Sequence, residues 1–415
     1  MLHKFINKLM HQTDLLLTVF LLLLISAIMI SGCNQINMPV STELPVDNSS
    51  SISPNNTDSA DENSIKGPNN EENTVIKMQL EGNLLSEFVE TSVEASGKVH
   101  TLPFLDLAME LKGEKDAEVS IGQIQYDGIM FYYVLDISTP MAQMPDLGSY
   151  IIAYDPQSEE YDILFSNKMD MQINKLVLCD DQLVWVMNGK NIWAVKGFDL
   201  INWRSYDLAL SDSDVKYSGD TVLSTSSRYV MWQDYQDEGK RFSLNIRDAL
   251  SGDTSILTQE DMTVNSPYWL PSAMNDTLLL LNKCQEPAEL ALYDLKEKRI
   301  DKHIKLHTSY AYGYLVNDRH LVWSSDYSNN EVWIGDLSGE QSQRIFPKES
   351  EISQSCFVYN QDEQIILLDR ISQGIQIINF NKKIIKNILL EQDESVITSQ
   401  DYIIIQNNNV VCILE

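Results

Sequence analysis

The stretch His320-Leu321-Val322-Trp323-Ser324-Ser325-Asp326, continued by Glu331-Val332-Trp333-Ile334-Gly335-Asp336-Leu337-Ser338-Gly339, decides the fold. It reads as an apolar run, a polar turn, an alternating run that ends at Asp, and a glycine turn. The same phrase recurs in degenerate form from Gln125 to the C-terminus. Its apolar runs are anchored at Tyr132, Trp185, Trp232, Leu281, Trp323, Leu367 and Ile405, spaced 38 to 53 residues apart. That period is the length of one four-stranded propeller blade. The second half returns at 150–155, 244–248, 290–294 and 375–379. Alternation with period 2 suits a half-buried strand, because successive side chains face opposite ways. The closing Asp or Asn can accept a hydrogen bond from the backbone two residues on, and Ser251-Gly252-Asp253 and Ser338-Gly339-Glu340 supply the glycine such turns favour. An all-β, seven-bladed propeller follows. Eight blades, or six with an irregular N-terminal piece, are the alternatives.

Trp185, Trp232 and Trp323 hold one place in the unit, and Trp193 and Trp333 share another one strand later. Position-locked Trp is what packing between blades predicts; a sugar-stacking platform is the alternative. The chain ends on Val410-Val411-Cys412-Ile413-Leu414-Glu415, so the last unit looks one strand short. An N-terminal strand that completes it removes the exposed edges, and the alternating run Thr74-Val75-Ile76-Lys77-Met78-Gln79-Leu80 is the expected closing strand.

The copies at 320–339 and 228–253 resemble the TolB-type, WD40-like propeller repeats of bacterial envelope proteins. The resemblance extends over most of 117–415, without the family's Pro-Asp-Gly opening and with Lys196 in blade two where Asp is expected. It implies architecture far more than function, since members include protein-binding scaffolds and related propellers accompany hydrolase domains.

At the N-terminus, His3, Lys4 and Lys8 precede an apolar run from Leu15 to Ile30, which ends Ile30-Ser31-Gly32-Cys33. A basic opening, a short apolar segment and small residues before a cut form a secretory signal. With Cys after the cut the pattern resembles the bacterial lipobox, which implies lipidation of Cys33 and a protein held on the extracytoplasmic face of the bacterial cell membrane. An uncleaved anchor is the alternative, though 16 apolar residues fall short of the roughly 20 needed to span a bilayer. Residues 34–73 are nearly all Ser, Asn, Asp, Glu, Pro and Thr, too polar to offset chain entropy. They read as a disordered spacer with a reach of roughly 35 Å. The division is thus signal peptide 1–32, lipidated Cys and linker 33–73, and propeller 74–415.

With 30 Lys+Arg against 60 Asp+Glu, the net charge is −30. Nucleic acid is excluded as a partner, because phosphate contacts need clustered cations. A cationic partner, or divalent ions that screen the surface, suits this charge. Beyond Cys33, Cys179, Cys284, Cys356 and Cys412 show no metal or disulfide spacing and read as mostly reduced thiols. His303 and His307 lie on an alternating strand, where about 13 Å separates residues four apart and rules out a shared metal. Asp212-Ser213-Asp214 and Asp234-Tyr235-Gln236-Asp237-Glu238-Gly239 resemble fragments of calcium loops but lack the six to eight oxygens of a good Ca²⁺ site. No cofactor is expected. Serine-nucleophile, zinc-protease, P-loop and dinucleotide motifs are absent from the sequence.

Loops between second and third strands gather on one face of a propeller. Here they bring Met141 and Met144, Asp234 and Tyr235, and Asp326 and Tyr327 to that face as candidate binding residues. The longest, 139–147, carries two Met and two Pro, an adaptable apolar tip held stiff at its ends; a plug folded into the channel is the alternative. The expected function is a surface-anchored, non-catalytic binding or scaffold lipoprotein for a protein or envelope glycan. The alternative is a carbohydrate-active or other hydrolytic propeller that uses two of its many carboxylates.

Overall fold

The repeat folds as its periodicity dictates, into seven sheets arranged as blades. The structure, a computed structural model, describes residues 74–414 except 79–83, 113–116, 141, 143–144, 168–170, 190–192, 211–222, 227, 237–240, 262–267, 274–277, 284–287, 308–311, 325–330, 347–355, 362–363, 370–373, 392–393 and 400–401. The N-terminal segment contributes β1 (Thr74–Lys77), β2 (Val89–Val93), β3 (Gly97–Thr101) and the helix α1 (Leu105–Lys112). Blade one is β4 (Glu118–Tyr126), β5 (Phe131–Ser138), β6 (Gly148–Asp155) and β7 (Glu160–Asn167), all antiparallel. Blades two to six repeat this meander, and blade seven comprises Ser395–Ser399, Tyr402–Asn407 and Val410–Leu414 with β3 as its fourth strand.

Each first strand is innermost, so that β4 meets the first strands of blades two and seven around the axis. Both faces of every blade are apolar, and each seam between neighbours holds one buried cluster. Trp185, Trp232 and Trp323 lie almost wholly within these seams, at 0, 2 and 0% exposure, which confirms the packing role. Trp193 and Trp333 are not equivalent. Trp333 stands opposite Trp323, whereas Lys196 stands opposite Trp185 and Trp193 opposite Asn188. The turn Asp of blade two is therefore Asp199, three residues after Lys196.

The closing strand is β3 and not the run from Thr74. In-register pairs Gly97↔Leu414 to Thr101↔Val410 complete blade seven, and α1 then leads directly into blade one. Contact here is intimate: a Cβ on Gly97 would lie 1.9 Å from the Ile413 carbonyl oxygen. β1 instead adds in parallel to the outer strand of blade four (Arg299–Lys305), and β2 does the same on blade six (Ile384–Leu389). An alternating run suits any open edge, so alternation alone could not choose among seven.

Residues 74–78 and 84–112 thus act as a strap along the rim from blade four to blade one. It fills seams as it passes. Met78 enters the cluster between blades four and five, and Leu84, Leu85 and Phe88 pack between five and six. Leu102, Leu107 and Ala108 are buried between seven and one, where the Tyr133 hydroxyl donates to the Pro103 carbonyl at 2.8 Å.

Gly97→Val should prevent closure of blade seven and cost at least about 2 kcal/mol in urea unfolding, as a forced overpacking. Gly122→Ala, whose Cβ meets only ordinary contact with Val134 at 3.5 Å, should be nearly neutral. Equal effects would refute the role given to β3.

Candidate functional site

Of the residues expected at the loop face, Met141, Met144, Asp326 and Tyr327 lie outside the described residues, as does Cys33. Asp234 and Tyr235 sit near the end of the second strand of blade three, paired with Ser243 and Phe242, with Asp234 half-buried. The root of the longest loop is well defined. The Thr139 amide and hydroxyl both donate to the Asp146 carboxylate at 2.7 Å and hold its pKa below the usual carboxylate range. Just inside, the Ser149 hydroxyl donates to Asp136, whose carboxyl is raised by burial against the opposing pull of that bond.

The opposite face is built from the hairpins that join first to second and third to fourth strands. Its construction repeats. Asp155, Asp199, Asp248, Asp294 and Asn379 each accept backbone N–H bonds from residues two or three further on, at 2.8–3.0 Å. The residue four after each of them, Glu159, Trp203, Gly252, Lys298 and Lys383, has positive φ. Short acceptors at the first position and a left-handed turn at the last are what tight hairpins demand.

On blades one to three this face is both acidic and greasy. Ile129, Ile201, Trp203 and Leu250 are 66, 73, 52 and 67% exposed. Trp203 is held at φ 53° with its ring edge-on to Phe198, centroids 5.3 Å apart. The carboxyl of Asp181 is raised, first by burial and then by the negative charge of Asp180, Asp199 and Asp127. Asp127 accepts from the Tyr132 hydroxyl at 2.8 Å, and Asp248 is held low by the Arg228 guanidinium at 2.6 Å. Sequence reasoning missed this surface. The signal was present in Asp199-Leu200-Ile201-Asn202-Trp203 and Asp248-Ala249-Leu250, where apolar residues occupy turn positions that polar ones usually fill.

Among the described residues, no group of three or more His, Cys, Asp or Glu could hold a metal ion. His303 bonds Glu289 at 2.8 Å on the outer strand of blade four. His307 stands edge-on to Trp333, and His320 Nδ1 meets Asn317 Oδ1 at 2.9 Å. Cys179 and Cys412 are free thiols, and burial pushes Cys179 up to about 12. Lys175 projects from the innermost strand of blade two beside a bulge at Ile173–Lys175, and the surrounding protein lowers its pKa.

No protein-family model matches the sequence, and a search of curated proteins gives no match. Solved structures align with most of the chain. A prolyl endopeptidase structure aligns at TM-score 0.48 and 12% identity, over 72% of this chain and 48% of that one, so this chain spans about half its length. The β-propeller domain of the trilobed protease from Pyrococcus furiosus aligns at 0.49 and 10% identity, over 71% and 93%. A chain of the mitotic checkpoint complex aligns at 0.45 and 7% identity, over 72% and 92%. At these identities the likeness is one of fold alone.

His320 is held below the usual imidazole pKa by burial, against the pull of Asp336. Its folded pKa therefore lies below its unfolded one, so the neutral ring stabilises fully above the unfolded value of about 6.5, and that stability is lost as pH falls. The melting-temperature difference between wild type and His320→Gln should shrink as pH drops from 7.5 to about 5. A difference independent of pH would contradict this.

Proposed function

We propose that the chain is a non-catalytic binding lipoprotein of the TolB-like kind, tethered through Cys33 to the outer side of a bacterial cell membrane. Its propeller captures a protein partner on the hairpin face of blades one to three. The observation that carries this reading is Trp203, half-exposed on a hairpin that also exposes Ile201, with Ile129 and Leu250 exposed on hairpins of the adjacent blades and with mutually repelling carboxylates at Asp127, Asp180, Asp181 and Asp199. Tight turns usually carry polar residues at such exposed positions, so large apolar side chains on three consecutive blades favour a use in binding. Aromatic anchors surrounded by charge are the pattern of an interface hot spot. Crowded carboxylates favour a basic segment, which would relieve their repulsion, and a net charge of −30 would steer it in.

The tether rests on the Ile30-Ser31-Gly32-Cys33 motif and the polar spacer that follows it.

A photocrosslinking residue placed at Ile201 in living cells should yield one discrete protein adduct. Trp203→Ala with Asp181→Asn should weaken that partner's binding by about 2 kcal/mol or more, increasingly less so at high salt. Unchanged capture by this variant would remove the hairpin face from the reading. Separately, Cys33→Ala should release the protein from the membrane fraction; mass spectrometry showing an unmodified Cys33 thiol on the cell-derived protein would end the tether proposal.

A further inference from the structure

The strap crosses four seams and fills three of them with its own apolar side chains. Between blades six and seven it does not. There it passes from β2 to β3 as Val93-Glu94-Ala95-Ser96, and none of these residues enters the buried cluster of that seam. A cleft of about 270 Å³ is left beneath it, roofed by Val93, Glu94 and Ser96. Its walls are Ile377, Ile384 and Ile388 of blade six with Ile403 and Leu414 of blade seven, and the side-chain amides of Gln364 and Asn379 of blade six join them.

The lining of the cleft carries two lysines against one carboxylate, in a chain with twice as many acids as bases. Lys382 and Lys386 line it, and neither makes an ion pair or side-chain hydrogen bond with any described residue. Their neighbour Lys383 is paired, with Glu87. Glu94 is the one carboxylate in the lining, and it pairs with neither lysine.

We propose that this cleft is a binding site for a small amphiphilic anion, a single short aliphatic or aryl chain bearing a carboxylate. The chain would take the place that Met78, Leu84 and Leu107 take at the other crossings, and the anion would pair with Lys382 and Lys386. The volume lies just below the usual span of small-ligand sites, about 300–1,000 Å³, which suits one short chain and excludes a two-chain lipid. Apolar walls with a few convergent charged groups are the general form of such sites. Charge-assisted pairing sets the orientation.

Isothermal titration of the full chain with sodium decanoate is the test, with decyltrimethylammonium and decanol as controls. Decanoate should bind saturably at one site, and the controls should not. Lys382→Gln with Lys386→Gln should weaken decanoate at least about tenfold without lowering Tm, since both side chains are exposed. Ser96→Phe, which lets the strap fill the cleft itself, should abolish binding and leave Tm unchanged or higher. The proposal fails if decanoate shows no saturation below about 1 mM, or if it binds the lysine variant or Ser96→Phe as it binds wild type. Equal binding of the cationic control, or binding only to phosphatidylglycerol vesicles, would also overturn it.

Discussion

Everything in this molecule depends on the hydrogen-bonded ladder between β3 and Val410–Leu414. A row of blades has two ends, and each end exposes a full apolar face and an unpaired edge. Pairing the two ends turns the row into a ring. The seam it creates is occupied by Tyr126, Phe131, Tyr133 and Tyr154 from blade one, Ile404, Val411 and Ile413 from blade seven, and three residues of the strap. Seven seams then become equivalent in kind. No single cluster is large, but each is shared by two blades, so loss of the ladder would expose two faces at once.

The strap extends the same logic to the outer rim. Outer strands leave one row of backbone donors and acceptors unpaired, and β1 and β2 satisfy those of blades four and six in parallel register. Gly335 shows how closely it lies: a Cβ there would stand 2.9 Å from the Met78 side chain and from the Trp323 ring. Five blades are touched by the described residues 74–78 and 84–112. The unfilled crossing between blades six and seven is thus an exception to a pattern that holds on either side of it.

The two flat faces differ because their connections differ. Hairpins of four or five residues are held by Asp and Asn acceptors, so they present a defined surface. Capping acceptors are carboxylates in most blades, and the face is acidic as a consequence of how its turns are built. Ile129, Ile201, Trp203 and Leu250 stand exposed on that acid frame although no turn requires them there.

Blade number, strand order and the identity of the packing tryptophans were legible in the sequence, because period-2 alternation and a repeat of 38 to 53 residues are local properties of the chain. The turn acceptors were legible for the same reason, apart from blade two, where Lys196 was aligned in place of Asp199. Which strand closes the ring was not, since Thr74–Lys77 and Gly97–Thr101 both suit an open edge; Gly97 settles the choice by admitting a carbonyl at a distance no side chain tolerates. The cleft was hidden too, since it joins residues 93–96 to blades six and seven, far apart along the chain, and only the path of the strap brings them together. The apolar turn residues Ile201, Trp203 and Leu250 stood in the sequence, but their exposure was decided by how the blades pack.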